Sequence, residues 1–183
     1  TTSCSSLSRF THREEMTTAE RATFSVAPLG EGHRKFRVGE KLEYDIRWMG
    51  IDVGSGVLEV RGTESLNGRE VYHFILITRS NAFLSTFYPV KDETHSYVDV
   101  ERLVPYHFRK IQREGGYRAD EEMRYDQENH KATYHSFLNN STKEMEIPPE
   151  AQDSLSVLFY FRTLSLEIGE SVFIPVNADE KNW

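Results

Sequence analysis

Between Val38 and Arg61 the chain reads VGEKLEYDIRWMGIDVGSGVLEVR. Leu42, Tyr44, Ile46 and Trp48 alternate with Glu43, Asp45 and Arg47. A two-residue period puts the apolar set on one face of a strand and the charges on the other. Met49-Gly50-Ile51-Asp52 supplies a turn, and a second extended run follows through Val60. The stretch therefore predicts a β-hairpin with one wet face.

The rest of the chain repeats this pattern. Asn67-Gly68, a strong hairpin turn, joins a strand at about 54–64 to a third at Glu70–Arg79. That third strand is apolar on both faces, which predicts a central position or cover on both sides. The aromatic stretch 80–90 breaks the period and reads as a loop or short helix ending at Pro89. Further strands are expected at Asp92–Val100, Tyr106–Arg113, Tyr117–Tyr125, Lys131–Phe137 and Thr142–Ile147, separated by turn residues such as Gly115-Gly116 and Asn139-Asn140-Ser141. Short strands at regular spacing make an up-and-down antiparallel meander. Gly54-Ser55-Gly56 reads as a bulge or bend that helps the sheet curl.

Pro148-Pro149 ends the series. A helix is expected over about 150–164, where Leu155, Leu158, Phe159 and Arg162 lie at helical spacing and either Asp153 or the preceding prolines mark the start. Gly169 leads to a last strand at Ser171–Asn177, and residues 178–182 look like a hairpin turn before Trp183. The sequence thus reads as stopping mid-fold. The expected fold class is mainly β: a curved antiparallel meander or open barrel packed on one long helix near the C-terminal end. It spans 36–183, behind a flexible tether at 1–35 rich in Ser, Thr and charge.

Charge and cysteine usage narrow the function. The net charge is −7, from 22 basic and 29 acidic residues, which disfavours nucleic acid as a partner. No run of about 18 apolar residues is present to span a membrane as a helix. Cys4 stands alone, so no intrachain disulfide forms. Its setting, Thr2-Ser3-Cys4 among small residues, has two readings: the acylated cysteine of a bacterial lipoprotein, or an ordinary thiol.

The blocks VGEKLEYDIRWMGIDVGSGVLEV at 38–60, ETHSYVD at 93–99, LVPYHF at 103–108, EEMRYD at 121–126 and AQDSLSVLFYFRTL at 151–164, with Gly169, occur here in sequence. In this order they resemble the bacterial family called domain of unknown function 3108, over about 36–183. The resemblance implies an exported, all-β envelope protein in the periplasm or at the outer membrane, with further strands beyond Trp183. It brings no catalytic residue with it.

The chemistry-bearing residues do not form a recognised motif. The seven histidines are scattered; no HExxH or paired-ligand spacing points to a metal, and no cofactor is implied. The carboxylates at 120–122 and 126–128 do not match a calcium loop. Ser154 and Ser156 lack a nucleophile elbow and fit helix capping better. Asp153 and Arg162 lie on the expected helix, where a buried arginine needs a carboxylate from the sheet and an exposed one snorkels at the helix end. The aromatic loop with its neighbours gives a ligand-binding set of Trp48, Phe83, Phe87, Tyr88, Asp92, His95 and Arg162. The expected function is a non-enzymatic cell-envelope protein holding an apolar or amphipathic molecule, such as a lipid, between sheet and helix. The alternatives are an outer-membrane lipoprotein anchored through Cys4, acting as a scaffold for an envelope partner, and a hydrolase using Asp92, His95 or the 120–128 carboxylates.

Overall fold

The structure, a computed structural model, describes residues 35–183. Residues 1–34 of the expected tether, with Cys4, His12 and His33, lie outside the described part. Eight antiparallel strands follow one another in a single sheet: β1 (Lys41–Trp48), β2 (Ile51–Leu66), β3 (Arg69–Ser80), β4 (Lys91–Asp99), β5 (Pro105–Glu114), β6 (Tyr117–Asp126), β7 (Lys131–Ser136) and β8 (Ser141–Glu146). Each strand pairs only with its sequence neighbours, so β1 and β8 are both edges and the sheet is not closed into a barrel.

Turns fall where Gly and Asn permit positive φ. Met49-Gly50, Asn67-Gly68 and Gly115 all have it. The bend in β2 is not at its glycines but at bulges beside them: the register skips Val53 opposite β1 and Arg61 opposite β3. Gly54 has a different task. A Cβ there would lie 2.3 Å from the carbonyl oxygen of Arg79, so only glycine lets β2 and β3 approach this closely.

The long helix is not formed. Between β3 and β4 lies a single turn, α1 (Ala82–Ser85); after β8 comes α2 (Ser156–Phe161), only six residues. Residues 150–153 are drawn into sheet-like pairing, with Gln152 N donating to Pro175 O and Asn177 N to Gln152 O. At the other end Arg162, Thr163 and Leu164 bond three residues back, and Thr163 Oγ1 donates to Tyr160 O, which tightens and closes the helix. Helical periodicity was real, but backbone donors on both flanks found other partners. The strand expected at 171–177 shrinks likewise to β9 (Asn177–Ala178), paired with β10 (Lys181–Asn182) around Asp179-Glu180. Pro175 lacks the N–H that a regular strand needs.

The core sits between one face of the sheet and the 147–160 segment. Phe74 of β3 and Phe159 of α2 stack with centroids 3.6 Å apart, and Phe36 meets both edge-on. Leu58, Val60, Val98, Leu103 and Leu155 fill the space around them. A second cluster, Met123, Tyr125, Ala132, Ile147 and Ala151, lies under the chain that leaves β8, and Phe108 touches both clusters. On β1 the cover reaches only Leu42. Tyr44, Ile46 and Trp48, on the face expected to be buried, are exposed beyond the edge of the core cluster. Tyr44 and Ile46 stand opposite Gly56 and Gly54.

Candidate functional site

The covered face of the sheet holds a partly open cleft of about 260 Å³ beside the second cluster. Strand alternation builds its floor. Phe108, Lys110 and Gln112 are every second residue of β5, and Phe108 and Lys110 stand opposite Met123 and Glu121 of β6. Tyr125 continues the β6 side. The roof comes from far along the chain: Ser154 before α2, and Asn177, Ala178 and Asp179 of the small β-ribbon. Tyr125 Oη reaches Asn177 O at 3.3 Å and ties roof to floor.

The charges in the cleft neutralise one another. Lys110 Nζ lies 3.0 Å from Asp179 Oδ1 and 3.3 Å from Glu121 Oε2. Burial works against its charge, but the two carboxylates outweigh it and hold the ammonium above its usual pKa. Burial, with the nearby Asp153 carboxylate, pushes the Tyr125 phenol well above the usual range. One acceptor is left over. Asn177 is buried; its Nδ2 donates to Asn182 Oδ1 at 2.8 Å, while its Oδ1 has no protein partner. Two further buried amide oxygens, Gln127 Oε1 and Gln152 Oε1, are likewise without a protein partner and lie outside the cleft lining.

The residues singled out from sequence are not gathered here. Trp48 stands at the β1–β2 turn, with Phe83 and Phe87 on α1 and the turn after it, all strongly exposed. Tyr88 is half-exposed and packs on Gly115, where a Cβ would meet its ring at 2.6 Å. Asp92 faces the covered side of β4 and accepts a hydrogen bond from Arg113 N at 2.8 Å. His95, three residues on, faces the opposite side, where its Nδ1 lies 2.9 Å from His73 Nε2. Arg162 is not buried. It caps α2, bonds Glu40 just before β1, and holds its guanidinium over the rings of Phe36 and Phe159. The hydrolase residues are likewise divided: Glu121 lines the cleft, Asp120 and Glu122 face away, and Asp126 and Glu128 lie at a turn.

Among the described residues, no three His, Cys, Asp or Glu side chains converge to hold a metal ion, and no helix is long and apolar enough to cross a membrane. The sequence reading missed Phe108, Met123 and Asn177. For the first two the alternation of β5 and β6 was the available sign; for Asn177, whose place depends on the ribbon folding back, there was none.

Searches of curated proteins and of solved structures find no match. A family model described as "Protein of unknown function (DUF3108)" matches residues 43–183, from the middle of β1 to the last residue of the ribbon, and the chain belongs to that family.

Proposed function

We propose that this chain is a non-enzymatic binding protein of the bacterial cell envelope that holds a small amphipathic molecule in the cleft between the sheet and the C-terminal segment. The observation that carries this reading is a partly open cleft with an apolar floor, Phe108, Met123 and Tyr125, and a few polar groups, Lys110, Gln112 and Ser154, at its walls. Apolar walls with a few placed polar groups are the usual composition of ligand sites. The volume lies just under the roughly 300–1,000 Å³ of drug-sized sites, so the occupant is a compact molecule or the end of a longer one. Lys110 supports binding over catalysis, because its charge is already spent on Glu121 and Asp179. The small-residue run Thr2-Ser3-Cys4 supports the envelope assignment.

The test is native mass spectrometry of the full chain produced in a bacterial periplasm. A bound mass that disappears on denaturation is expected, together with its loss in Ala178→Phe, which fills the cleft from a partly exposed position. Ligand-free protein in every preparation, or equal retention by Ala178→Phe, would sink the reading.

A further inference from the structure

In an up-and-down sheet, alternate turns share one end. The turns after β1, β3, β5 and β7 therefore lie together, and those after β2, β4 and β6 lie at the far end. The two ends differ in chemistry. At the first, Trp48 and Met49 are 67% and 83% exposed, and Phe83 and Phe87 are 65% and 75% exposed. Tyr117 and Leu138 continue the pattern at the next two turns. None of the three far turns exposes a large apolar side chain. Scattered apolar residues on a surface need no explanation, and Ile168 and Phe173 of the C-terminal segment are of that kind, but among the hairpin turns the restriction to one end does.

These turns are also held together. Asn81 N donates to Val53 O at 2.9 Å and Asn81 Nδ2 to Asp52 O at 2.6 Å, joining the α1 loop to the first hairpin. Gly115 N donates to Pro89 O at 2.8 Å, joining the same loop to the β5–β6 turn. The apolar groups thus ride on a braced platform.

Just behind them, on the sheet face away from the core, runs a row of cations. Arg79 of β3 is the register partner of Lys91 of β4, and Arg113 of β5 is the partner of Arg118 of β6. All four are exposed, and among the described residues none makes an ion pair. Like charges directly opposite destabilise a sheet, so two such pairs side by side in a chain of net charge −7 call for an anionic partner. Of the nearby acids, Asp52 pairs with Arg47 and Asp120 with Arg109, while Asp92 and Glu114 lie on the core-facing side, where they accept from Arg113 N and Gln112 Nε2; Glu93 shares the outward face with Lys91 but makes no ion pair with it. At the far end the reverse holds. Arg69 and Arg102 both bind Glu128, at 3.0 and 3.3 Å, amid Asp99, Glu101 and Asp126.

We propose that this end of the sheet docks on an anionic phospholipid bilayer, its apolar turns entering the headgroup layer and the Arg79–Lys91–Arg113–Arg118 row lying on the lipid phosphates. Trp, Tyr and Phe favour that layer, and basic side chains near an anionic leaflet add attraction. Duplex nucleic acid would suit the cations but offers no apolar layer to the protruding Trp48, Met49, Phe83 and Phe87. The surface is separate from the cleft, so either assignment stands without the other.

The experiment uses the full chain carrying Trp183→Phe, which leaves Trp48 as the reporter. On vesicles of about 70% phosphatidylcholine and 30% phosphatidylglycerol, Trp48 emission should shift to the blue, with the shift reversed by salt. Phosphatidylcholine alone should bind at least about tenfold more weakly, as should the variant Arg79→Gln/Lys91→Gln/Arg113→Gln/Arg118→Gln on mixed vesicles. Phe83→Ser/Phe87→Ser should also lose binding. All substitutions are on exposed side chains, and circular dichroism verifies that each variant is folded. No shift with the mixed vesicles, or equal binding by both variants, overturns the proposal. So does a dimer in light scattering that Phe83→Ser/Phe87→Ser dissolves while vesicles fail to bind, which would make the occupant a second copy of this chain.

Discussion

Ser96 Oγ on β4 donates a 2.5 Å hydrogen bond to Asp153 Oδ2, and both residues are fully buried. The other carboxylate oxygen accepts from Leu155 N and Ser156 N, while Asp153 N donates to Ser156 Oγ. This is a reciprocal cap with serine in the place of the usual glutamate. One side chain therefore both starts α2 and fastens it to the sheet.

That position makes Asp153 the main lever of pH on this fold. Burial pushes its pKa up from 3.8 to about 6, although the hydrogen bonds from Ser96, Leu155 and Ser156 favour the charged form. Between about pH 4 and 6 the folded state then holds more protons than the unfolded chain, so this group's contribution to stability falls as pH rises through that window. The gap corresponds to roughly 3 kcal/mol. Asp153→Asn mimics the protonated form and keeps the cap acceptor. Urea denaturation at about pH 4 and about pH 7.5 should show the parent chain losing stability relative to Asp153→Asn by about 2–3 kcal/mol at the higher pH. Parallel profiles would refute the assignment.

Gly54 and Gly56 are a paired test of local packing. A Cβ at Gly54 would strike the backbone of Arg79, whereas one at Gly56 would meet only Ile46 Cδ1 at 4.0 Å. Gly54→Ala should lower stability by about 2–3 kcal/mol, in the range of overpacking that moves backbone. Gly56→Ala should change it by less than about 1 kcal/mol. Urea midpoints of the two variants decide the matter; similar losses would mean that the glycines serve the bend and not the close approach.

Phe159 and Arg162 occupy the same short helix and should differ sharply. Phe159→Ala removes the stack on Phe74 and leaves a cavity, at about 3–5 kcal/mol. Arg162→Ala breaks a partly exposed pair with Glu40 and uncovers part of two rings, at about 1 kcal/mol or less. Thermal unfolding should rank them so. An equal effect would show that the Arg162–Glu40 pair, and not aromatic packing, fastens α2 to the start of β1.

The sheet was legible because its strands are self-describing. Tyr72 and Phe74 alternate with Val71, His73 and Ile75, and both faces of β3 are indeed largely buried. Asn67-Gly68 marks its turn without help from tertiary structure. The helix was overread because apolar spacing at 155–161 says nothing of what the flanking backbone does. Gln152 gives its N–H to Pro175, a partner 23 positions away that no local pattern announces. The cleft was invisible for the same reason. Phe108 and Met123 meet through strand register, which alternation foreshadows, but Asn177 arrives through the ribbon. Tyr44, Ile46 and Trp48 read as core because their spacing is that of a buried face; whether an element covers that face is decided elsewhere in the chain.

The outward face of the sheet yields the last prediction. Glu64 Oε1 lies 2.7 Å from His73 Nδ1, and His73 Nε2 lies 2.9 Å from His95 Nδ1. With both rings neutral, Glu64 fixes the Nδ1–H tautomer of His73, whose Nε2 then accepts from His95. A proton on His95 meets both burial, the larger effect, and the neighbouring His73, so its pKa falls below the usual 6.5. His107, stacked on Tyr97, is lowered too, chiefly by burial, although Glu122 at 3.1 Å works the other way. Below pH 6.5 the unfolded chain therefore holds more protons at these two sites, and their contribution to stability is lost as pH falls, opposite in sign to that of Asp153. Imidazole Cε1–H titrations by NMR should give midpoints under 6.5 for both. His73→Gln removes one ring from the pair, and should raise the His95 midpoint while leaving that of His107 nearly unchanged. A His95 midpoint unmoved by His73→Gln would show that burial alone sets it and that the two rings are not coupled.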